Sequence, residues 1–160
     1  MNVAIVGCGL IGNKRSKQLA GAKLVAVHDI KRQNAEDLLY NNKIKGAVIE
    51  NDWKDVINRK DVDIVIVATM HNSLAEIALA AILAGKHVLI EKPVAKNIED
   101  ISLLIKAAKQ MNILVRVGFN HRYHPAMLKA KEMVDDGAIG ELMYIRSRYG
   151  HGGRLGYDRE

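Results

Sequence analysis

Two rhythms of apolar residues alternate along the chain. Short, nearly unbroken aliphatic and β-branched runs recur at 3–6, 23–29, 46–49, 63–68, 87–90 and 113–117. Runs of this length and character are strands buried on both faces. The stretches between them carry helical spacing. A helix should follow residue 12, another spans 32–40 and a short one 52–57. Leu74, Ile77, Ala78, Ala81 and Ile82 line one face of the next, and Ile98, Ile101, Leu104, Ile105 and Ala108 form the buried stripe of another. Strand and helix alternate throughout. That order predicts a parallel sheet with helices on both faces, an α/β doubly wound fold.

Punctuation supports these assignments. Ser73 with Glu76 three residues later has the form of a capping box, Gly85 stands where that helix should stop, and Asn97 is a good N-cap for the following one. After Gly118 the character changes. Pro125 suits the first turn of a helix carrying Met127, Leu128, Ala130, Met133 and Val134, which Gly137 ends. Residues 141–149 then alternate in part, like a strand with one wet face. Residues 150–160 are rich in Gly and Arg and hold no apolar set to bury. The 141–149 strand has no evident partner in the chain. The expected organisation is therefore a first domain over 1–118, with 119–160 as a loop, helix and first strand of a second domain whose remainder is missing.

Composition narrows the classes. Of 160 residues, 49% are hydrophobic and 26% charged, as in an ordinary globular protein. The longest apolar run is far too short to span a bilayer, and the N-terminus lacks a signal peptide's basic start and cleavage site. A single cysteine excludes an internal disulfide and fits a reducing compartment, so a cytoplasmic location is expected. A net charge of +6 invites a nucleic-acid reading, but the basic residues are interleaved with acids and aromatics are sparse. Neither a nucleic acid nor a membrane is expected as a partner. The mild positive charge suits steering of an anionic small molecule.

The first strand runs directly into Gly7-Cys8-Gly9-Leu10-Ile11-Gly12, and a helix follows. In such a strand–turn–helix the first glycine permits the turn, the second lets backbone approach a pyrophosphate, and the third allows close packing of helix on strand. The N–H groups of Leu10 and Ile11 open the helix, where phosphate is favoured. Asp29 ends the second strand 22 residues after Gly7 (29 − 7), the spacing of an acid that binds the adenosine ribose. Its carboxylate can accept from both ribose hydroxyls and repels a 2′-phosphate, which favours NAD; Lys31 and Arg32 beside it leave NADP open. Cys8 reads as a small spectator.

Gly85-Lys86-His87-Val88-Leu89-Ile90-Glu91-Lys92-Pro93 and Gly118-Phe119-Asn120-His121-Arg122-Tyr123-His124-Pro125-Ala126 complete an ordered set with the glycine turn. Together they resemble the Gfo/Idh/MocA family, the relatives of glucose–fructose oxidoreductase and inositol dehydrogenase, and the resemblance covers essentially the whole chain. It implies an N-terminal Rossmann domain for NAD(P). It further implies a C-terminal α/β domain, absent here, that supplies an open sheet, much of the substrate pocket and the usual catalytic His. Activity would be hydride transfer to or from a secondary alcohol of a sugar, cyclitol or sugar nucleotide, with this chain inactive alone. Homo-oligomers are implied as well, since relatives associate through the second domain's sheet.

The same resemblance places Lys92 at the junction of cofactor and substrate as the catalytic residue. An ammonium there stabilises a developing alkoxide, and partial burial would tune it for proton transfer; the competing reading is a solvated strand-end lysine. The Lys92–Pro93 bond suits a cis turn. Glu91 pairs with a neighbouring cation and orients the loop. Ala68 and Thr69 belong beside the cofactor, and His71 either touches it or is a surface histidine; the family's Ala-Thr-Pro-Asn reads Ala68-Thr69-Met70-His71 here and a His common a few residues later is Leu74. Asn120 either reaches the nicotinamide region or caps a turn, and the resemblance puts His121 and Arg122 on the substrate side. His121 and His124 each divide between substrate contact and structural hydrogen bonding. A metal is not expected, because no acid or cysteine set completes the histidines. Two other readings remain: a non-catalytic NAD(P)-binding or regulatory module, and a Rossmann domain for a different adenosine ligand. Retention of Lys92 and of the 118–126 segment speaks against the first, and Asp29 with Glu91-Lys92-Pro93 against the second.

Overall fold

A computed structural model of the chain describes residues 1–148 and 150. Residues 1–119 form one compact unit and a second begins at Asn120. In the first, β1 (Asn2–Val6), β2 (Lys23–His28), β3 (Val48–Ile49), β4 (Ile64–Val67), β5 (His87–Ile90) and β6 (Val115–Val117) make one parallel sheet in the order β3-β2-β1-β4-β5-β6. The helices between them are α1 (Leu10–Ser16), α2 (Arg32–Asn41), α3 (Trp53–Asn58), α4 (Leu74–Leu83) and α5 (Ile98–Met111). This is the doubly wound strand order, with its switch point between β1 and β4.

Side chains on a strand point alternately to opposite faces, and β1 shows the consequence. Val3 and Ile5 join Leu24, Val27, Ala35, Leu38 and Ile66 in one core. Ala4 and Val6 join Val65, Val67, Leu74, Ile77, Ala78, Ala81 and Ile82 in the other. Every residue of the stripe expected on α4 is buried. That helix ends in a Schellman motif: Gly85, at φ +77°, donates to Ile82, and Lys86 donates to Ala81, both at 2.9 Å.

Two local expectations fail. Ser73 precedes α4 but makes no capping bond, because its ψ of −6° is helical rather than extended. Its hydroxyl turns back to Thr69 Oγ1 and the Met70 carbonyl instead. On α5, Leu104 and Ala107 are buried, whereas Ile98 and Ile105 are 76% and 52% exposed. Those two isoleucines lie two turns apart on one face, rotated about 100° from Leu104, so they miss the sheet. The Asn97 cap does form, accepting from the Asp100 N–H at 2.8 Å.

The second unit opens with a 3₁₀ turn, Asn120–Tyr123, followed by α6 (Pro125–Asp135) with its proline in the first turn. Gly137 follows at φ +69°. Residues 141–148 form no strand, contrary to expectation. A strand's N–H and C=O groups need a neighbouring ladder, and none of the described residues supplies one. Residue 149 of that expected strand and the Gly/Arg-rich 151–160 lie outside the described residues. All described residues from 119 to 148 are exposed, Met127 and Met133 among them, so these methionines form no core here. Among the described residues no helix is long and apolar enough to cross a membrane.

Candidate functional site

The sheet register aligns the carboxyl ends of five strands: Val6 pairs with His28 and with Val67, Val67 with Ile90, and Ile90 with Val117. The residue after four of these strand tops continues the ladder by one further bond. Gly7 N–H donates to His28, Ala68 to Val6, Glu91 to Val67 and Gly118 to Ile90, at 2.8–2.9 Å. Gly7, Asp29, Ala68, Glu91 and Gly118 thus stand in a row across one edge of the sheet. With neighbouring strands about 4.8 Å apart, Gly7 and Glu91 are separated by roughly 10 Å. Open α/β folds bind ligands at this edge and at this switch point.

The glycine turn has two glycines fixed by packing and one that faces open space. Gly7 adopts φ +93°, and a Cβ there would lie 2.5 Å from the Ala68 carbonyl. A Cβ on Gly12 would stand 1.9 Å from the Gly7 oxygen. At Gly9 an added Cβ meets nothing within 4 Å, although its φ of −66° suits any residue. Leu10 and Ile11 are exposed, and their N–H groups precede the first helical bond, from Asn13 to the Gly9 carbonyl. A closed turn beneath an open backbone at Gly9 fits a dinucleotide's diphosphate.

Asp29 closes this turn. Its Oδ2 accepts from Cys8 N–H at 2.7 Å, and Oδ1 accepts from Lys31 N–H at 2.8 Å and Asn34 Nδ2 at 3.0 Å. A carboxylate offers about four lone-pair positions, so about one is left, on Oδ2. Cys8 is buried and its thiol donates to the His28 carbonyl. Burial first, and then the Asp29 charge, push that thiol up to about 12, which makes it a poor nucleophile at neutral pH. At the top of β4, Thr69 is half-buried and His71 is exposed in the turn before α4.

At the top of β5 the Lys92–Pro93 bond is cis. Lys92 is exposed, so the expected partial burial is not found in this chain. Its neighbour Glu91 is buried, at 6% exposure. The cation that Glu91 was expected to meet is Arg15 on α1, whose Nε lies 2.6 Å and whose terminal nitrogen lies 2.5 Å from Glu91 Oε1. A Cβ on Gly118 would fall 2.5–2.7 Å from the same carboxylate, so glycine at 118 makes room for it. Val94 N–H donates back to the Glu91 carbonyl across the turn. Val94 itself holds φ +81°, which costs a β-branched residue about 1–3 kcal/mol and persists because its side chain packs on the core.

In the second unit Asn120, His121 and Arg122 lie exposed in the 3₁₀ turn. His124 resolves toward structure: its Nδ1 accepts from Ala126 N–H at 3.3 Å and caps α6. Among the described residues no three His, Cys, Asp or Glu side chains are placed to hold a metal ion.

Sequence reasoning missed Arg15, Asn34 and the reason for Gly118. Only Arg15 left a trace: a buried acid at 91 demands a cation, and Arg15 sits one helical turn beyond Gly12.

Comparison with known proteins agrees with this geometry. Residues 1–119 match the family model described as oxidoreductase family, NAD-binding Rossmann fold. The inositol 2-dehydrogenase of Salmonella paratyphi B is 35% identical over 93% of this chain and 46% of its own length. The levoglucosan dehydrogenase of Pseudarthrobacter phenanthrenivorans is 33% identical over 93% of this chain and 40% of its own. Lactobacillus casei myo-inositol dehydrogenase, solved with NAD(H) and myo-inositol, superposes with a TM-score of 0.82 at 27% identity, covering 88% of this chain and 42% of that one. The chain spans a little under half the length of these relatives. With the fold, the glycine turn and the Glu91-Lys92-Pro93 corner in place, the chain belongs to the Gfo/Idh/MocA family of NAD-binding Rossmann-fold oxidoreductases.

Proposed function

We propose that this chain is the cofactor-holding portion of an NAD-dependent dehydrogenase acting on a secondary alcohol of a cyclitol or sugar. Residues 1–118 form its nucleotide-binding domain and 119–160 open its substrate side. The observation that carries the reading is the row of residues along the sheet edge, with Gly9 open, Asp29 fixed on the turn and Lys92 two strands away. When bound, NAD supplies the hydride acceptor. The chain's own residues bind and orient it. Backbone N–H groups at Gly9, Leu10, Ile11 and Gly12 face the diphosphate. Asp29, with three donors already seated, takes one ribose hydroxyl on Oδ2 rather than two, and its charge disfavours a 2′-phosphate. Ala68, Thr69, His71 and Glu91 line the way to the nicotinamide, and Asn120 is a proposed cofactor contact.

Lys92 is the proposed catalytic residue. Its Nζ bonds the reacting oxygen, takes the hydroxyl proton as hydride leaves carbon or returns it in the reverse direction, and its positive charge offsets the developing alkoxide. His121 and Arg122 are the proposed substrate contacts. The inositol and levoglucosan dehydrogenases named above support a vicinal polyol ring as the first candidate substrate. Location in the cytoplasm and self-association belong to the same proposal, on the strength of the single buried cysteine and of kinship alone.

Titration of the 160-residue chain with NADH, NADPH and S-adenosylmethionine tests the cofactor reading. Saturable NADH binding, weaker NADPH binding and none for S-adenosylmethionine are expected. Failure to bind NADH, or preference for S-adenosylmethionine, overturns it.

A further inference from the structure

We infer that Arg15 is a positioning residue that couples the glycine turn to Lys92 through Glu91, an inference that rests on the NAD-binding reading above. Arg15 lies one helical turn beyond Gly12, on the short helix that the glycine turn launches. Gly12 packs α1 against the backbone of Gly7, so the helix cannot move independently of the turn. From there the guanidinium reaches the top of β5 and places both Nε and a terminal nitrogen on Glu91 Oε1. The pair is mostly shielded, with side-chain exposures of 25% for Arg15 and 8% for Glu91. Shielding makes such charge-assisted bonds strong and leaves the carboxylate costly to abandon.

Glu91 is held on its other sides as well. Its N–H is tied to Val67, its carbonyl accepts from Val94, and its carboxylate fills the space that Gly118 leaves. Lys92 is the next residue, exposed and without such packing of its own. The position of its backbone therefore depends on Glu91, whose carboxylate Arg15 anchors while the ladder bonds hold its backbone. Seating a dinucleotide on the turn fixes α1, and the ion pair carries that constraint to Lys92. The sheet links the two strand tops only indirectly, through the ladder bonds of β4, whereas the ion pair joins α1 to the top of β5 directly.

Competitive acylation of the lysines with limiting acetic anhydride, read by mass spectrometry, tests the coupling. Lys92 labelling is scored against exposed Lys60, with and without saturating NADH, in wild type, Arg15→Lys, Arg15→Met and Gly118→Ala. NADH should shield Lys92 in wild type and largely in Arg15→Lys. In Arg15→Met that shielding should fall by about fivefold or more, the low end of ordinary site-to-site coupling, while NADH still binds. Gly118→Ala crowds the Glu91 carboxylate while leaving the residues of the turn, Arg15 and Lys92 unsubstituted, and should show the same loss; it decides the matter if Arg15→Met does not fold. Full shielding of Lys92 in any NADH-binding variant without the pair overturns the inference and leaves the NAD reading standing. Absence of NADH binding in wild type sinks the NAD reading itself, and the inference with it.

Discussion

Gly9 and Gly12 belong to one motif but should respond to alanine in opposite ways. In Gly12→Ala the new Cβ would lie 1.9 Å from the Gly7 oxygen and 3.4 Å from Ile5 Cγ2. The nearest obstacle is backbone, so α1 and β1 must part by on the order of an ångström to restore ordinary contact. Overpacking of this kind costs about 1–3 kcal/mol, offset by up to about 1 kcal/mol of better helix propensity. A net loss of about 1–2 kcal/mol should lower Tm by roughly 3–8 °C in a chain of this size. Gly9→Ala meets no atom within 4 Å and keeps an ordinary φ of −66°. Its stability should stay within about 0.5 kcal/mol of wild type. The methyl group, however, would stand between backbone and diphosphate. A clash of about 1–3 kcal/mol weakens NADH binding by roughly 5- to 150-fold. Thermal unfolding and nicotinamide fluorescence titration on the two variants separate the effects. Wild-type NADH affinity in Gly9→Ala, or a fall in its Tm matching that of Gly12→Ala, would refute the reasoning.

Other substitutions probe the rest of the site. Asp29→Ser removes the charge that opposes a 2′-phosphate, and the ratio of NADPH to NADH affinity should rise; an unchanged ratio removes Asp29 from the specificity account. Cys8, with its thiol pushed up to about 12, should resist iodoacetamide at pH 8 in the folded protein and react only on denaturation. Its folded value lies above the ordinary 9.0, so its contribution to stability is complete below pH 9 and lost as pH rises toward 12. Unfolding of Cys8→Ala should accordingly vary less with pH in that range. Away from the site, the Arg59 guanidinium holds the Asp61 carboxyl below its usual range. A depressed acid stabilises the fold above its unfolded value and loses that contribution as pH falls, so any advantage of wild type over Asp61→Asn in urea melts should vanish under acid.

The sheet was legible because each strand is a short apolar run buried on both sides, a pattern that tertiary context reinforces. Helix faces were legible only where the stripe was unambiguous. On α4 the apolar residues leave one choice of face, whereas α5 offers Ile98 and Ile105 as decoys against Leu104 and Ala107. Ser73 shows a different limit: the residue type of a cap was present, but a helical ψ aimed its hydroxyl at Thr69. The expected strand at 141–149 failed over 141–148 because pairing is not a property of one segment. At the site, spacing revealed Gly7, Gly9, Gly12 and Asp29, since those positions are linked by the geometry of a single turn. The Arg15–Glu91 contact spans 76 residues, and no local rule reports such a pair.

The central claim is that the row of strand tops from Asp29 through Gly7 and Ala68 to Lys92 forms the cofactor cradle. Amide NMR of the 17.7 kDa chain during an NADH titration tests it most directly. Saturable shifts are predicted at Gly7, Gly9, Leu10, Ile11, Gly12, Asp29, Thr69, Glu91 and Lys92, with little change around Asn2, Asp63 and His87 on the opposite flank, at the amino ends of the strands. Shifts confined to that flank, or no saturable shifts at all, would contradict the account.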